Sequence, residues 1–234
     1  VSTRIERQRI IVSLMVPVMV VGVLWLVQLV AVTTRLDVSM FGVLPLKIRG
    51  LVGIVTSPLV HSSWEHLISN SVPLFLLSWA LYYYYHRQAT SILIISWVLP
   101  GLWVWFFARG NAAHIGASGV VYALASYHFF SGLIRRNTQL LAFSLVVIFF
   151  YGSMVWGVFP DFFPEKNISW ESHLMGGIAG LLLALYFRKT GPQRKKPEFP
   201  EYDEEWERRI RMKHGYSFDE LSKETSDDKS SQKD

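Results

Sequence analysis

The 234-residue chain contains no cysteine. That excludes disulfide staples, thiol nucleophiles and Cys-ligated metals, and leaves the compartment open. Charge is the second scarcity, and its distribution matters more than its total. Four charged residues fall in 1–9 and 24 in 188–234, leaving 13 across residues 10–187. A soluble core of that length carries charge every few helical turns, so this block predicts an all-α polytopic membrane protein with polar ends. The formal charge of +5 does not point to nucleic acid. Residues 188–234 hold 12 basic and 12 acidic side chains, so the excess belongs to the apolar block and its flanks.

What the chain has instead is apolar length, with 51% hydrophobic residues. The first stretch, Ile10–Val32, is long enough to cross a bilayer. Arg4, Arg7 and Arg9 precede it as in a signal peptide. The run is too long for a signal sequence and no small-residue cleavage site follows, so the expectation is a retained helix. Residues 33–60 are apolar but interrupted by Asp37, Pro45, Lys47, Arg49, Gly50, Gly53 and Pro58, too broken to span. Further spans are expected at 64–85, 91–107, 117–133, 139–159 and 170–187, the third, fourth and sixth of the set being short. Six spans put both termini on one side. With that side cytoplasmic, its flanks carry Arg4, Arg7, Arg9, Arg87, Arg135, Arg136, Arg188, Lys189, Arg194, Lys195 and Lys196. The opposite side carries Arg35, Lys47, Arg49, Arg109 and Lys166, which is the positive-inside pattern. The expected organisation is a cytoplasmic N-terminus (1–9), a membrane domain (10–187) and a charged cytoplasmic tail (188–234). Within the tail, Glu201–His214 has acids first and bases last, as a solvated helix favours.

Polar residues inside an apolar block are costly, and function is sought there first. Three clusters stand out. His61, Glu65, His66, Ser69 and Asn70 open the second span, with His66 and Asn70 on one helix face. His114-Ile-Gly116-Ala-Ser118-Gly119 leads into the fourth, and Ser172-His173 opens the sixth, followed by Gly176, Gly177 and Gly180. Each has a structural alternative, since a single His or Asn can bond across helices and Gly-x3-Gly lets helices approach. Together they offer more: a hydroxyl at a helix start, an imidazole on a second helix and an amide–imidazole pair on a third. These are the parts of a nucleophile, a base and an oxyanion hole. Gly116 and Gly119 flank Ser118, and Tyr122 follows one turn later on the same face. No acid shares a helix face with His173, so a Ser–His pair without a third member is the natural reading. A metal-binding or transport role for His61, His66, His114 and His173 is the competing class. Their spacing suits it poorly and carboxylate co-ligands are lacking.

At these motifs the sequence resembles the rhomboid intramembrane serine proteases. His61-x4-His66-x3-Asn70, Gly116-x-Ser118-Gly119 and Ser172-His173-x2-Gly176-x3-Gly180 match the family's three motifs, in order and on the second, fourth and sixth spans. The resemblance implies a six-transmembrane-helix bundle with a water-filled cavity open to the outside. It makes Ser118 the nucleophile and His173 the general base and acid. His66, Asn70 and the Ser118 amide form the oxyanion hole, Tyr122 packs on His173, and Gly116 and Gly119 shape the turn. His61 is structural in this scheme. Substrates are transmembrane segments of other proteins, and neither metal nor cofactor is implied. An alternative is an inactive relative that binds transmembrane segments without cutting them. Where many members carry Trp-Arg in the first outer loop, this chain has Val52 and Gly53. The expected setting is a prokaryotic cytoplasmic membrane with the active site facing out.

Overall fold

The computed structural model describes residues 3–110, 112–150, 169–191, 193, 208, 209, 211–213 and 215. Residues 151–159 of the fifth expected span, Lys166 and most of the 201–214 helix lie outside the described residues. The chain divides into two units, Val1–Arg194 and Lys195–Asp234, and the apolar helices belong to the first.

Seven α-helices are described in the first unit: α1 (Thr3–Thr34), a single turn α2 (Gly53–Thr56), α3 (Trp64–Tyr84), α4 (Ala89–Phe107), α5 (Ser118–Ile134), α6 (Thr138–Phe150) and α7 (Trp170–Tyr186). Among the described residues the one extended pairing is a bridge between Val43 and His114. Two helices, α1 and α4, are long and apolar enough to cross a membrane by length and composition. The expectation made 91–107 a short span. The helix gains two residues because Gln88 N–H and Ala89 N–H both donate to the Tyr85 carbonyl, starting it at Ala89. The 21-residue α3 is long enough, but the polar residues of its first two turns dilute it. The 17-residue α5 and α7 are shorter.

Burial follows the apolar pattern from the centre outward. From Gly119 to Leu124 only Tyr122 escapes full burial, and Ala125, Tyr127 and His128 are buried in turn, so α5 is enclosed around most of its circumference. A helix apolar on all sides belongs at the centre of a bundle. Leu67, Leu74, Leu77 and Leu81 of α3 and Leu183 and Ala184 of α7 complete the core around it. On α1 the opposite holds: Val12, Met15, Val18, Met19 and Leu26 are exposed. So large an apolar surface needs a non-aqueous neighbour.

Helices α5 and α7 touch backbone to backbone. A Cβ on Gly176 would lie 2.3 Å from the Gly119 carbonyl oxygen, and one on Gly180 2.1 Å from that of Ala123. Beside the second of these contacts Ser126 Oγ donates to the Gly177 carbonyl at 2.6 Å. Small residues here let the two axes close up, as lipid-embedded helices require.

Beyond the end of α1 the interrupted segment 35–60 forms no long helix. It folds into short 3-10 turns and the single turn α2, fastened to α4 by three bonds. Leu46 N–H donates to the Trp105 carbonyl at 2.9 Å, and the Trp105 and Trp97 indoles donate to the carbonyls of Lys47 and Val55. Ile48, Val52 and Val55 remain exposed on this segment.

Arg135 departs from the expectation of a cytoplasmic flank cation. It is 5% exposed, inside the end of the bundle, and donates to Tyr85 Oη (3.1 Å) and to the carbonyls of Phe187 and Thr190 (2.6 Å each). The carbonyls at the end of α7 lack intrahelical donors and carry partial negative charge, which a guanidinium satisfies.

Candidate active site

The first polar cluster sits at the start of α3. Ser63 caps the helix, its Oγ accepting from His66 N–H at 3.1 Å. That cap fixes the first turn, so the side chains of His66 and Asn70 project along one face. Ser62 Oγ lies 3.2 Å from His66 Nδ1, and Asn70 Nδ2 donates to the His66 carbonyl at 3.0 Å. An amide nitrogen has two hydrogens, so Asn70 retains one donor after that bond.

The second cluster meets the first at a tight turn. Gly116 has φ +105°, a left-handed conformation, and a Cβ there would lie 2.6 Å from His66 Nε2 and 3.7 Å from Asn70 Nδ2. The His66 imidazole and the Asn70 amide therefore border the Gly116 turn, two residues before Ser118 at the helix start. The turn is held from two sides. Gly116 N–H donates to the Ser57 carbonyl at 2.9 Å, and Ala117 N–H donates to His61 Nε2 at 3.3 Å. His61 is 1% exposed, and burial, reinforced by the nearby His66, pushes its imidazole down to about 3. A neutral ring is what accepting from Ala117 requires.

Ser118 is the first residue of α5, half-buried, where helix N–H groups lack intrahelical acceptors and the dipole is positive. Tyr122 lies one turn on, and its ring stacks on the His173 imidazole with centroids 4.2 Å apart and planes 10° apart. His173, 8% exposed, stands in the first turn of α7. Stacked on a residue four positions after Ser118, it occupies the face of α5 that Ser118 shares. Ser172 Oγ packs against Gly119, 2.7 Å from where a Cβ would be.

His114, which the sequence motifs leave without a role, is tied into the fold by its backbone and its ring. The backbone pairs with Val43 through two 2.9 Å bonds, and Nδ1 lies 2.5 Å from Ser169 Oγ. Burial lowers its pKa, with Glu171 opposing. With Ser57, Gly116, Gly119 and Ser172 it lines a cavity of about 10 Å³, room for about one water. Among the described residues no three His, Asp or Glu side chains gather to hold a metal.

Ser62, Ser57 and Ser169 do not stand out in the sequence. Ser62 has a weak signal, four residues before His66. Ser57 acts through its backbone and Ser169 through a contact 55 residues distant, and neither leaves a pattern.

The family model of the Rhomboid domain matches residues 49–190, a range containing all three clusters. An uncharacterized protein of Mycobacterium tuberculosis is 34% identical over 182 residues, covering 75% of this chain and 74% of its own. The Bacillus subtilis protein YdcA, provisionally named a rhomboid protease, is 26% identical over 132 residues, covering 56% of this chain and 64% of its own. Rhomboid-related protein 2 of mouse is 24% identical over 131 residues, covering 53% of this chain and 43% of its own.

Proposed function

The chain belongs to the rhomboid family, and on that premise we propose that it is a serine endopeptidase cutting transmembrane segments of other proteins. Family membership makes it an integral membrane protein. Six crossings are proposed: α1, α3, α4, α5, the span that begins with α6, and α7. Both termini lie in the cytoplasm of a prokaryotic cell, the charged tail 188–234 among them, as the distribution of basic flanks favours. The site then opens to the outside.

The observation that carries the reading is the stack of His173 on Tyr122, which holds an imidazole against the helix face that begins at Ser118. In the proposed reaction His173 takes the proton of Ser118 as its Oγ attacks the scissile carbonyl. The resulting oxyanion faces the Ser118 N–H, the remaining Asn70 N–H and His66. In this scheme the Ser62 hydroxyl, 3.2 Å from Nδ1, donates to it, which leaves the His66 proton on Nε2 beside the Gly116 turn. His173 then returns the proton to the leaving amine, and the acyl-enzyme is hydrolysed by a water that His173 deprotonates. A base without a carboxylate partner is workable where its ring is already fixed, and Tyr122 supplies that constraint.

The test is labelling of the purified full chain by a fluorophosphonate probe, beside cleavage of a model transmembrane substrate. Wild type is labelled and cleaves, while Ser118→Ala and His173→Ala do neither and remain folded. Folded wild-type protein that neither labels nor cleaves would instead be an inactive relative that only binds such segments.

A further inference from the structure

The end of the bundle opposite Ser118 holds a second cavity, of about 560 Å³. Helices α3 and α7 both start at the candidate active site and finish here, roughly 25 Å away at 1.5 Å per residue. Three separate stretches wall the cavity: Arg9 of α1, the turn between α3 and α4 with His86 and Arg87, and Lys189 beyond α7. Three permanent cations thus converge on one space, and among the described residues no carboxylate lines it.

The cavity is built before any ligand arrives. Arg9 donates to the Tyr83 carbonyl at 2.8 and 3.3 Å, with its guanidinium 4.4 Å from the centre of the Tyr83 ring. Glu6, outside the lining, accepts from Tyr83 Oη at 3.2 Å and stands near Arg9 as its counter-charge. On the far side, Arg135 pins the carbonyls of Phe187 and Thr190, fixing the backbone that carries Lys189. Gly191, at φ +84°, seats against the Tyr85 ring, where a Cβ would come within 2.8 Å. Arg87 and Lys189 are exposed and, among the described residues, donate no side-chain hydrogen bond. The start of α4 opens beside them and adds its own partial positive charge.

We infer that this cavity binds a phosphate-bearing anion. Arg87 and Lys189 line the cavity with no side-chain hydrogen-bond partner among the described residues, and a guanidinium and an ammonium suit the several oxygens of a phosphate. Lying where helices of a membrane bundle end, the cavity is within reach of anionic phospholipid headgroups, the source expected to fill it. A soluble phosphate offers the same chemistry.

The full chain in neutral detergent is tested by native mass spectrometry and thermal unfolding. The probes are phosphatidylglycerol, phosphatidylcholine and inorganic phosphate. Phosphatidylglycerol is expected to bind and raise the unfolding temperature, and phosphatidylcholine not to. The double variant Arg87→Gln/Lys189→Gln should bind phosphatidylglycerol at least about tenfold more weakly, by loss of two cation contacts. Removal of two cations outside the cavity, Arg7→Gln/Arg136→Gln, should leave affinity within about twofold. Competition by millimolar inorganic phosphate would assign the site to a soluble anion, and its failure to compete would assign it to the lipid. Equal binding of the two lipids, or undiminished binding in Arg87→Gln/Lys189→Gln, would overturn the inference. Ser118→Ala should bind like wild type, so the result stands apart from that of the cleavage assay.

Discussion

The imidazole of His173 lies flat on the phenol ring of Tyr122, 4.2 Å between centroids and 10° between planes, joining α7 to α5 at the level of the candidate nucleophile. Such a stack fixes two of the three rotations an imidazole could use to stray from Ser118. The platform is the ring face, with the hydroxyl playing no part in it. Tyr122→Phe should therefore keep near-wild-type turnover. Tyr122→Leu should lower kcat by roughly three- to tenfold, from the 0.5–1.5 kcal/mol that such pairs contribute. Equal activity of the two variants would show that the ring does not position the base.

Substitutions at three glycines of α7 separate close approach from helix propensity. Gly176 and Gly180 face α5 backbone at under 2.5 Å from a virtual Cβ, while Gly177 has nothing within 4 Å. Gly176→Ala and Gly180→Ala should each destabilise the protein by pushing α7 away from α5. Gly177→Ala should be neutral or stabilising by up to about 1 kcal/mol, because alanine is the better helix former. Unfolding temperatures of the three variants in one detergent check this.

Ser62 is placed to set the tautomer of His66. Ser62→Ala should reduce kcat several-fold, in line with roughly 1 kcal/mol for one hydrogen bond. Unfolding temperature should stay unchanged, since Ser62 is exposed. Restoration by Ser62→Thr would confirm that the hydroxyl is the active element, and kinetic assays of the pair decide it.

Acid should loosen the Gly116 turn. His61 ionises near 6.5 when unfolded and at about 3 when folded, so protons bind the unfolded chain preferentially between those values. Its contribution to stability is complete above pH 6.5 and is lost as pH falls toward 3. His114 shifts in the same direction, with burial as the main cause. Wild-type unfolding temperature should fall from pH 7.5 to pH 5, and His61→Asn should flatten part of that fall. An unchanged slope in His61→Asn would remove this histidine from the account.

Arg135 caps the end of α7 from within the bundle. Arg135→Met keeps the volume but removes the charge-assisted bonds to the carbonyls of Phe187 and Thr190, at a cost of up to about 1.5–3 kcal/mol each, offset where Thr190 and Gln193 still donate to them. Arg135→Lys should recover only part of this, because an ammonium lacks the planar fork. Thermal unfolding of the two variants, with Arg136→Gln as an exposed control, tests the assignment.

The apolar block and the helix starts at Trp64 and Trp170 are legible in the sequence because charge is sparse across 10–187 and capping or aromatic residues mark the ends. The start of α4 is not, since its first turn rests on the carbonyl of Tyr85 and Gln88-Ala89-Thr90 gives no hydrophobic signal. Polar residues in an apolar context point to the three clusters, and the turn at Gly116 brings two of them together. The support around them is hidden. Ser57 works through a carbonyl, His114 through a backbone bridge to Val43, and Arg135 by folding inward from what reads as a flank. Those roles depend on contacts between residues tens of positions apart, which local periodicity does not encode.

The glycine-to-carbonyl contacts between α5 and α7 also carry a mechanical consequence. Two rods that touch at their backbones, with Ser126 bonded across at the Gly180 contact, resist sliding unless they part. Ser118 and His173 stand on those two rods, so the spacing between their helices rests on a backbone contact rather than on side chains. A change that parts α5 from α7 at Gly176 or Gly180 therefore reaches both residues at once.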